Sequence, residues 1–594
     1  MEQTPNSTTQ DIGLAEEAKL PARRWVMLAL NLVSIAALAG LMTTVLGGAG
    51  RNWATILFLT LYIIGLPWTL LGFWNAAVGF VILRLVKDPV GYTNPALRVT
   101  PAAGPITTRT AICLAVRHED VAASFGRLSA MIASLETTGW AKMFDFHVLS
   151  DTARADIAAA EEAAFAALKA QSARPASLFY RRRSTNEGFK AGNLREFALR
   201  AKGVYEHVIV LDADSMMSGA AMVRLVRAMQ ANPRLGILQT LVVGRPSASG
   251  FTRIFQFGMR QGMRVQTTGS AWWQGSSGPF WGHNAILRTA PFVDHCDLPI
   301  LPGRPPLGGA VLSHDQVEAA MMRGSGWDVR VIPDEFESWE ENPPNLPDFI
   351  KRDLRWCQGN LQYLKLLTMP GLRPMGRFQL VNAIMMYVGA PMSFLMLAAG
   401  VGIAFSPNPP QFATNLAFGL YLSMMALGFA PRFLGVADIL LSPGGARRYG
   451  GLARLLAGCL LDLVFSLMLG PIMMVAQTVF VTGLAFGRRV LWDAQNRADR
   501  TVGALEALKG LTPQTLLGLA GVAAVLATRP EALPWASPTL LPCLLAVPFT
   551  CFSAGPTFSA AMTRLKLCAI PDEFAPALEL QAGDFVAIAA PASA

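Results

Sequence analysis

The sequence predicts an α/β domain inserted into a bundle of α-helical membrane spans. Of its 594 residues, 52% are apolar and only 15% are charged, whereas soluble domains carry about 25% charged residues. The charge is concentrated between residues 88 and 377, and long uncharged runs flank this stretch on both sides. A single core stops growing near ~250–300 residues. The composition therefore excludes an ordinary soluble enzyme, and also a disordered chain, which would be poor in apolar residues.

The flanking runs predict the membrane spans, because a span needs roughly 20 apolar residues. We expect two spans within 25–87 and about six within 378–563, with a charge-free turn at Ser406–Pro410 between two of them. The run 455–487 contains a single charge, Asp462. The uncharged runs are 25–50, 52–83, 378–431, 510–528 and 532–563.

The number of crossings depends on the run 455–487, since basic residues lie at both of its ends. A hairpin bent near Gly470-Pro471 would explain this, because proline breaks helices. The hairpin makes eight crossings, and a single span in its place makes seven.

Lys and Arg mark the cytoplasmic side of a membrane protein. Arg23 and Arg24 precede the first span, and Arg84 and Lys87 follow the second. This places the insert 88–377, the tails 1–24 and 564–594 and the loop 487–511 in the cytoplasm. The loop is basic: it contains Arg488, Arg489, Trp492, Arg497 and Arg500.

The insert alternates between strands and helices, which predicts a parallel sheet with helices on both faces. The strands are expected at 110–117, 146–151, 207–214 and 236–240, and a helix at 153–170. In such sheets ligands bind at the carboxyl ends of the strands. Acidic residues lie at three of these ends: Glu119 and Asp120, then Asp151, then Asp212 and Asp214.

Asp212 and Asp214 are candidate metal ligands. Side chains alternate along an extended chain, so carboxylates two residues apart point the same way. They suit Mg²⁺ or Mn²⁺, hard cations that prefer carboxylate oxygens and bridging phosphates. Six histidines and seven scattered cysteines show no zinc-like spacing.

Taken together, the motifs resemble those of processive family 2 glycosyltransferases, membrane synthases that take UDP-sugars and have a GT-A fold. The relevant segments are Asp151, Lys190–Leu194, Asp212–Asp214, Ser313–Asp315 and Arg352–Trp356. Arg352 stands where that family has Gln. Further motifs are similar to one branch, the glucans biosynthesis glucosyltransferase H family: Tyr180–Arg183, Phe280–Asn284, Leu312–Asp315, Glu340–Asn345 and Arg355–Asn360.

The resemblance implies a Rossmann-like GT-A domain in an inner-membrane protein that extends a β-1,2-linked glucan with UDP-glucose and feeds it outward. It implies the growing glucan, the lipid bilayer and, as a candidate, acyl carrier protein as partners; nucleic acid is not expected. Another synthase of this fold, of cellulose or hyaluronan type, is the alternative. A transporter with a regulatory domain would leave the aligned carboxylates unexplained.

The resemblance also assigns roles. Asp315 is the expected general base of an inverting transfer, and Mg²⁺ or Mn²⁺ on Asp212 and Asp214 would hold the diphosphate. The expected substrate-binding residues are Glu119, Asp151, Lys190, Asp212, Trp281, His283, Arg355 and Trp356.

Several of these residues also have plain structural interpretations. Asp315 could cap the helix predicted at 316–323, Lys190 could be a solvated lysine, and Arg355 with Trp356 could anchor a helix at the membrane interface. His283 and His314 could be hydrogen-bonded structural residues. The basic run Arg181–Arg183 could be a solvated face or a phosphate-side patch.

Overall fold

The computed structural model describes residues 7–47, 52–98, 103–404, 413–490 and 500–585. The turn expected at Ser406–Pro410 and residues 491–499 of the basic loop lie outside this range. The insert forms one eight-stranded sheet with the order β3-β2-β1-β4-β7-β6-β8-β5. Its strands are β1 (Thr110–Val116), β2 (Phe144–Ser150), β3 (Leu178–Arg182), β4 (His207–Asp212), β5 (Met216–Met217), β6 (Leu235–Gly244), β7 (Ala285–Arg288) and β8 (Asp328–Glu340).

The four expected strands are present and run in the same direction, but the expectation of a parallel sheet was wrong for the sheet as a whole, which is mixed. β1 pairs in parallel with β2 and β4, and β6 in parallel with β8. β7 runs antiparallel to both β4 and β6. It begins opposite Val210, near the carboxyl end of β4, so the chain enters β7 from that edge after the helix Gly250–Gln274. Because both neighbours oppose β7, β4 and β6 end at the same edge.

Helices cover both faces of the sheet and bury two apolar clusters. One is built around Leu114, Met131 and Ile209, the other around Val210, Phe197 and Val329. The helices of this domain are Pro89–Thr93, Pro95–Arg98, Val121–Thr137, Ala155–Gln171, Phe189–Ala201, Gly219–Ala231, Gly250–Gln274, Thr289–His295, Asp315–Gly324 and Leu346–Leu361.

Among the residues that the structure describes, five helices are long and apolar enough to cross a membrane. The number of spans rises to as many as seven if each of two bent helix pairs counts as one. The five are Ser7–Leu46, Trp53–Leu85, Pro374–Ala404, Thr414–Leu441 and Leu452–Ala485, and the bent pairs are Ala504–Gly510 with Thr512–Thr528 and Pro530–Leu544 with Ala546–Ser553. The first helix begins at Ser7, so most of the tail expected at 1–24 is the N-terminal part of that helix.

The expected hairpin within 455–487 was wrong. Leu452–Ala485 is one continuous helix with Pro471 inside it. Proline is tolerated in membrane helices because neighbouring groups satisfy the backbone atoms it frees. With each bent pair counted as one span, the described helices give seven, the number that the single-span alternative predicts.

Charged residues join the spans to the insert. Asp462 pairs with Arg432 of the neighbouring span at 2.9 Å and packs against Gly258, where a Cβ atom would lie 1.9 Å from Asp462 Oδ1. Arg264 reaches Asp438 of a span at 3.0 Å and Asp334 of β8 at 2.9 Å. The Asp462–Gly258 contact and the two ion pairs of Arg264 tie the bundle to the helix Gly250–Gln274 and to the sheet.

The C-terminal segment folds back onto the insert. Asp572 accepts a hydrogen bond from Trp339 Nε1 at 3.2 Å and pairs with Arg260. Ser134 donates to Glu579. Leu580 is buried in the core around Met131. The described part of the expected tail 564–594 is therefore packed structure. The helices in this segment are Pro556–Leu565 and Leu578–Phe585.

Candidate active site

The carboxyl edge of the sheet carries the acidic residues that the sequence indicated. Asp151 follows β2, and its amide donates to the Val116 carbonyl at the end of β1 at 2.9 Å. Asp212 is the last residue of β4. Glu119 follows β1, and its charge acts on Arg127. The three expected positions therefore lie at the ends of three adjacent strands.

Asp151 is held by Arg183, a partner that the sequence did not reveal. Arg183 donates from Nε to Oδ1 at 2.7 Å and from Nη2 to Oδ2 at 2.8 Å. Both side chains are more than nine-tenths buried. Two parallel bonds of this kind fix the plane of a carboxylate. Arg183 follows β3, a strand that its two arginines concealed, so the basic run contains a residue of the site edge.

The segment Asp212–Asp214 forms a tight turn. The Asp212 amide donates to Ser215 Oγ at 2.9 Å, and the Ser215 amide donates to the Asp212 carbonyl at 3.0 Å. Arg127 donates two hydrogen bonds to the Ala213 carbonyl, at 3.0 and 2.8 Å. Asp214 is buried, while the Asp212 side chain is one-third exposed. The backbone of the turn is therefore held in place, with the Asp212 carboxylate partly exposed and Asp214 buried.

Lys190 joins two of the expected segments. It lies in the first turn of the helix Phe189–Ala201, where its ammonium group pairs with Asp212. The same group donates to the Gly282 carbonyl at 2.7 Å. The interpretation as a solvated surface lysine is therefore wrong.

Gly282 packs directly against Asp315. A Cβ atom built at Gly282 would lie 3.3 Å from the Cβ atom of Asp315. The φ of Gly282 is +79°, a left-handed conformation that glycine adopts without strain. Through Gly282, Lys190 and Asp212 are brought next to Asp315. Sequence reasoning missed this glycine, although it lies within the quoted segment Phe280–Asn284.

Asp315 is the first residue of the helix Asp315–Gly324, and His314 is the N-cap. The interpretation of Asp315 as the cap was therefore wrong by one residue. A carboxylate in the first turn is favoured by the helix dipole. At this position the Asp315 carboxylate lies at the site edge, and the N-cap position is taken by His314.

His314 has a structural partner. Its Nδ1 lies 2.8 Å from Oε2 of Glu318, one turn along the same helix. Burial acts against the charged ring, but the Glu318 carboxylate outweighs it, so the pKa of His314 is raised above its ordinary value of 6.5. The interpretation of His314 as a hydrogen-bonded structural residue is confirmed.

Gln239 holds the segment with Trp281 and His283. Gln239 Oε1 accepts from the Trp281 amide at 2.8 Å, and its Nε2 donates to the His283 carbonyl at 3.0 Å. His283 Nε2 lies 3.6 Å from a carboxylate oxygen of Glu340. The backbone on either side of Gly282 is thereby anchored to β6.

Arg355 and Trp356 lie on the helix Leu346–Leu361. Arg355 is buried, while Trp356 is 45% exposed. Arg352 is buried with its guanidinium carbon 4.8 Å from the Trp356 ring centroid, a cation–π contact. Its two terminal nitrogens are 3.3 and 3.4 Å from Asn342 Oδ1. Arg352, which stands where the wider family has Gln, thus packs against the exposed ring of Trp356.

The donor set of the turn fits a magnesium-like ion. Within the described ranges, no group of three or more His, Cys, Asp or Glu side chains could hold a metal. Mg²⁺ is usually bound through one or two protein carboxylates together with substrate phosphates. Asp212 and Asp214 supply that number of carboxylates, so the arrangement suits a cation that arrives with a diphosphate.

Comparisons with known proteins show what this chain is similar to. Residues 207–431 match the family model described as glycosyl transferase family group 2. The glucans biosynthesis glucosyltransferase H of Caulobacter vibrioides is 37% identical, over 96% of this chain and 86% of the relative. That of Pseudomonas paraeruginosa is 37% identical, over 89% of this chain and 63% of the relative. A solved mannosyltransferase from Pyrobaculum calidifontis, in complex with GDP-Man and Mn²⁺, is 15% identical with a TM-score of 0.41, over 65% of this chain and 98% of its own.

The sheet, its carboxyl edge and the matching family model define a family 2 glycosyltransferase of the GT-A fold, as the sequence predicted. The identity maintained over almost the whole chain is more specific than this class. The chain belongs to the glucans biosynthesis glucosyltransferase H family.

Proposed function

We propose that this enzyme transfers glucose from UDP-glucose to a growing β-1,2-linked glucan, the backbone of osmoregulated periplasmic glucans. One observation carries the proposal: Lys190 contacts both Asp212 and the Gly282 carbonyl, and Gly282 packs on Asp315. A cation, a candidate metal-binding carboxylate and a candidate base are thus assembled at one edge of the sheet. The printed name of the relatives supports glucose as the sugar.

In the proposed reaction, Asp315 accepts the proton of an acceptor hydroxyl as that oxygen attacks the anomeric carbon of glucose. The bond to the UDP oxygen breaks, and the configuration at the anomeric carbon inverts. A single base suffices, in contrast to the two carboxylates of glycosidases. Lys190 offers its positive charge to the departing diphosphate. A divalent cation on Asp212 and Asp214 would supply further neutralisation of that charge.

The remaining site residues are assigned to the two substrates. Asp151, oriented by Arg183, would accept hydrogen bonds from the uracil or ribose, and Glu119 lies at the same edge. Arg355 would contact the diphosphate, and the exposed face of Trp356 suits a sugar ring. Trp281 and His283 would line the acceptor end.

We place the enzyme in the bacterial inner membrane with the insert in the cytoplasm, where nucleotide sugars are made, and with the glucan leaving through the bundle. The basic residues that flank the first two spans support this orientation. Arg23 and Arg24 donate to carbonyls at the end of the helix Gly250–Gln274, so that end of the first span contacts the insert. Neither the comparisons nor the described contacts identify a site for acyl carrier protein.

The test is UDP release by purified protein supplied with UDP-glucose and Mg²⁺. Asp315→Asn should lower turnover by about 10²–10⁴-fold, the usual contribution of a general base. Glu162→Gln changes an exposed carboxylate, with only a 3.7 Å contact to Arg182, and is the matched control. Full turnover by Asp315→Asn would refute the base assignment, and a product without β-1,2 linkages would refute the proposed linkage.

A further inference from the structure

A polar cavity opens beside the proposed catalytic edge. It has a volume of about 200 Å³, and its polar lining residues are Arg245, Ser247, Thr252, Glu341 and Asn342. It lies where β6 and β8 end, since Gly244 pairs with Glu340 and the Arg245 amide donates to the Glu340 carbonyl at 3.0 Å. β4 ends at this same edge of the sheet, so the cavity and Asp212 share it.

Three of the expected site segments connect to this cavity through neighbouring residues. Arg127, which binds the Ala213 carbonyl, also pairs with Glu341 at 2.8 Å. Arg352, which braces Trp356, bonds Asn342. These two links come from different structural elements, so the cavity belongs to the edge of the sheet at which we propose that the substrates bind.

A third link comes from His283, whose ring lies 3.6 Å from Glu340, the residue before Glu341. The segment Glu340–Asn342 thus touches the turn that carries the carboxylates, the segment that carries Trp281, and the helix that carries Trp356. The sequence motif Glu340–Asn345 had no assigned role.

Asn342 lines the cavity and carries a donor that has no hydrogen-bond partner among the described residues. Asn342 is 6% exposed, its Oδ1 accepts from Arg352, and its Nδ2 is fully buried without a hydrogen bond. Both side-chain polar atoms of the adjacent Gln256 are also buried and unpaired. An unsatisfied buried amide is costly, so native proteins usually provide a partner for it. A ligand hydroxyl would be such a partner.

The walls of the cavity are fixed in place before any ligand arrives. Thr252 Oγ1 donates to the Pro343 carbonyl at 2.8 Å, and Ser249 Oγ donates to the Pro344 carbonyl at 2.6 Å. Arg245 is held by Glu341 at 2.9 Å. Such preorganisation lowers the entropic cost of binding.

The lining favours a sugar over an anion. Glu341 accepts hydrogen bonds, Arg245 and Asn342 donate them, and Ser247 does both, a combination that matches the neighbouring hydroxyls of a glucose ring. A phosphate would have to lie beside the Glu341 carboxylate, and like charges at such a distance repel.

We propose that this cavity binds a glucose residue of the glucan chain, with Asn342 Nδ2 as a hydrogen-bond donor to a sugar hydroxyl. The inference rests on the proposed function, because it takes the acceptor to be a glucan. It adds a second point of attachment at the catalytic edge, which would retain the chain between successive transfers.

The test measures binding of sophorose, the β-1,2-linked glucose disaccharide, to the full-length protein in detergent by calorimetry. Asn342→Asp keeps the shape and the oxygen that faces Arg352 but removes the donor. We expect the Kd for sophorose to rise about tenfold, as for loss of one buried hydrogen bond, and the Kd for UDP to stay constant. Arg245→Lys keeps the positive charge but loses the planar set of guanidinium donors, so it should weaken sophorose binding in the same way. Glu162→Gln is the control for both ligands.

Other outcomes are decisive as well. Equal sophorose affinity in wild type and both variants, or no sophorose binding by the wild type, overturns the proposal. Inorganic phosphate that competes with sophorose, and whose binding depends on Arg245 but not on Asn342, would identify an anion site instead. A wild-type protein that binds sophorose but releases no UDP from UDP-glucose would refute the proposed function and leave the sugar site standing.

Discussion

Replacing Arg183 by Ala should destabilise the insert strongly. Arg183 makes two bonds to Asp151, and also donates to the carbonyls of Glu187 at 3.0 Å and Phe189 at 2.9 Å. Both members of the ion pair are more than nine-tenths buried. Removing one partner of a buried pair leaves an uncompensated charge and costs about 3–5 kcal/mol. At about 2 °C for each kcal/mol in a domain of this size, Tm should fall by roughly 6–10 °C.

The assay is thermal unfolding of the purified protein in detergent, followed by tryptophan fluorescence. Arg183→Lys keeps the charge but not the two parallel bonds, so its Tm should lie between those of Arg183→Ala and the wild type. Arg154→Ala is the matched control, because its pair with Asp156 is exposed on both sides and should not change Tm measurably. An Arg183→Ala protein as stable as the Arg154→Ala protein would show that the pair does not contribute as a buried one.

Three further predictions concern the site and its links to the bundle. Gly282→Ala places a Cβ atom 3.3 Å from the Cβ atom of Asp315 in a left-handed conformation, so kcat for UDP release should fall about tenfold with KM for UDP-glucose unchanged; an unchanged kcat would refute the packing argument. The raised pKa of His314 means that its pairing with Glu318 stabilises the fold fully below about pH 6.5; this stabilisation is lost as pH rises through the folded-state pKa, and His314→Gln should flatten the dependence of Tm on pH from 6 to 9. Asp438→Asn weakens the pairing with Arg264 and should lower Tm by several degrees, whereas an equal Tm would show that this link contributes nothing.

The sequence predicted the elements whose apolar pattern is continuous. β1, β2, β4 and β6 lie within four residues of their expected bounds, because each is a buried apolar run that ends in a polar residue. β3 and β7 were missed: β3 carries adjacent arginines and β7 has only four residues. β8 alternates with charged residues and gave no apolar run.

The motifs located the candidate site, but not the contacts that hold it. Lys190, Asp212 and Asp315 were named from their motifs, and the structure shows how Gly282 connects them. Arg127 and Arg183 were missed because they act through partners that are far away in the sequence. The hairpin predicted at Gly470-Pro471 was wrong because a helix packed among other helices can accommodate a proline without reversing its direction.

The way in which residues 570–580 pack on the insert bears on how the protein is made. Arg260 and Ser134 take partners from the last part of the chain, and Leu580 completes the core around Met131. The ribosome makes these partners only after all the membrane spans. The insert therefore lacks part of its core until residues 570–580 have been synthesised. Proteins truncated before residue 580 should keep that part of the core uncovered.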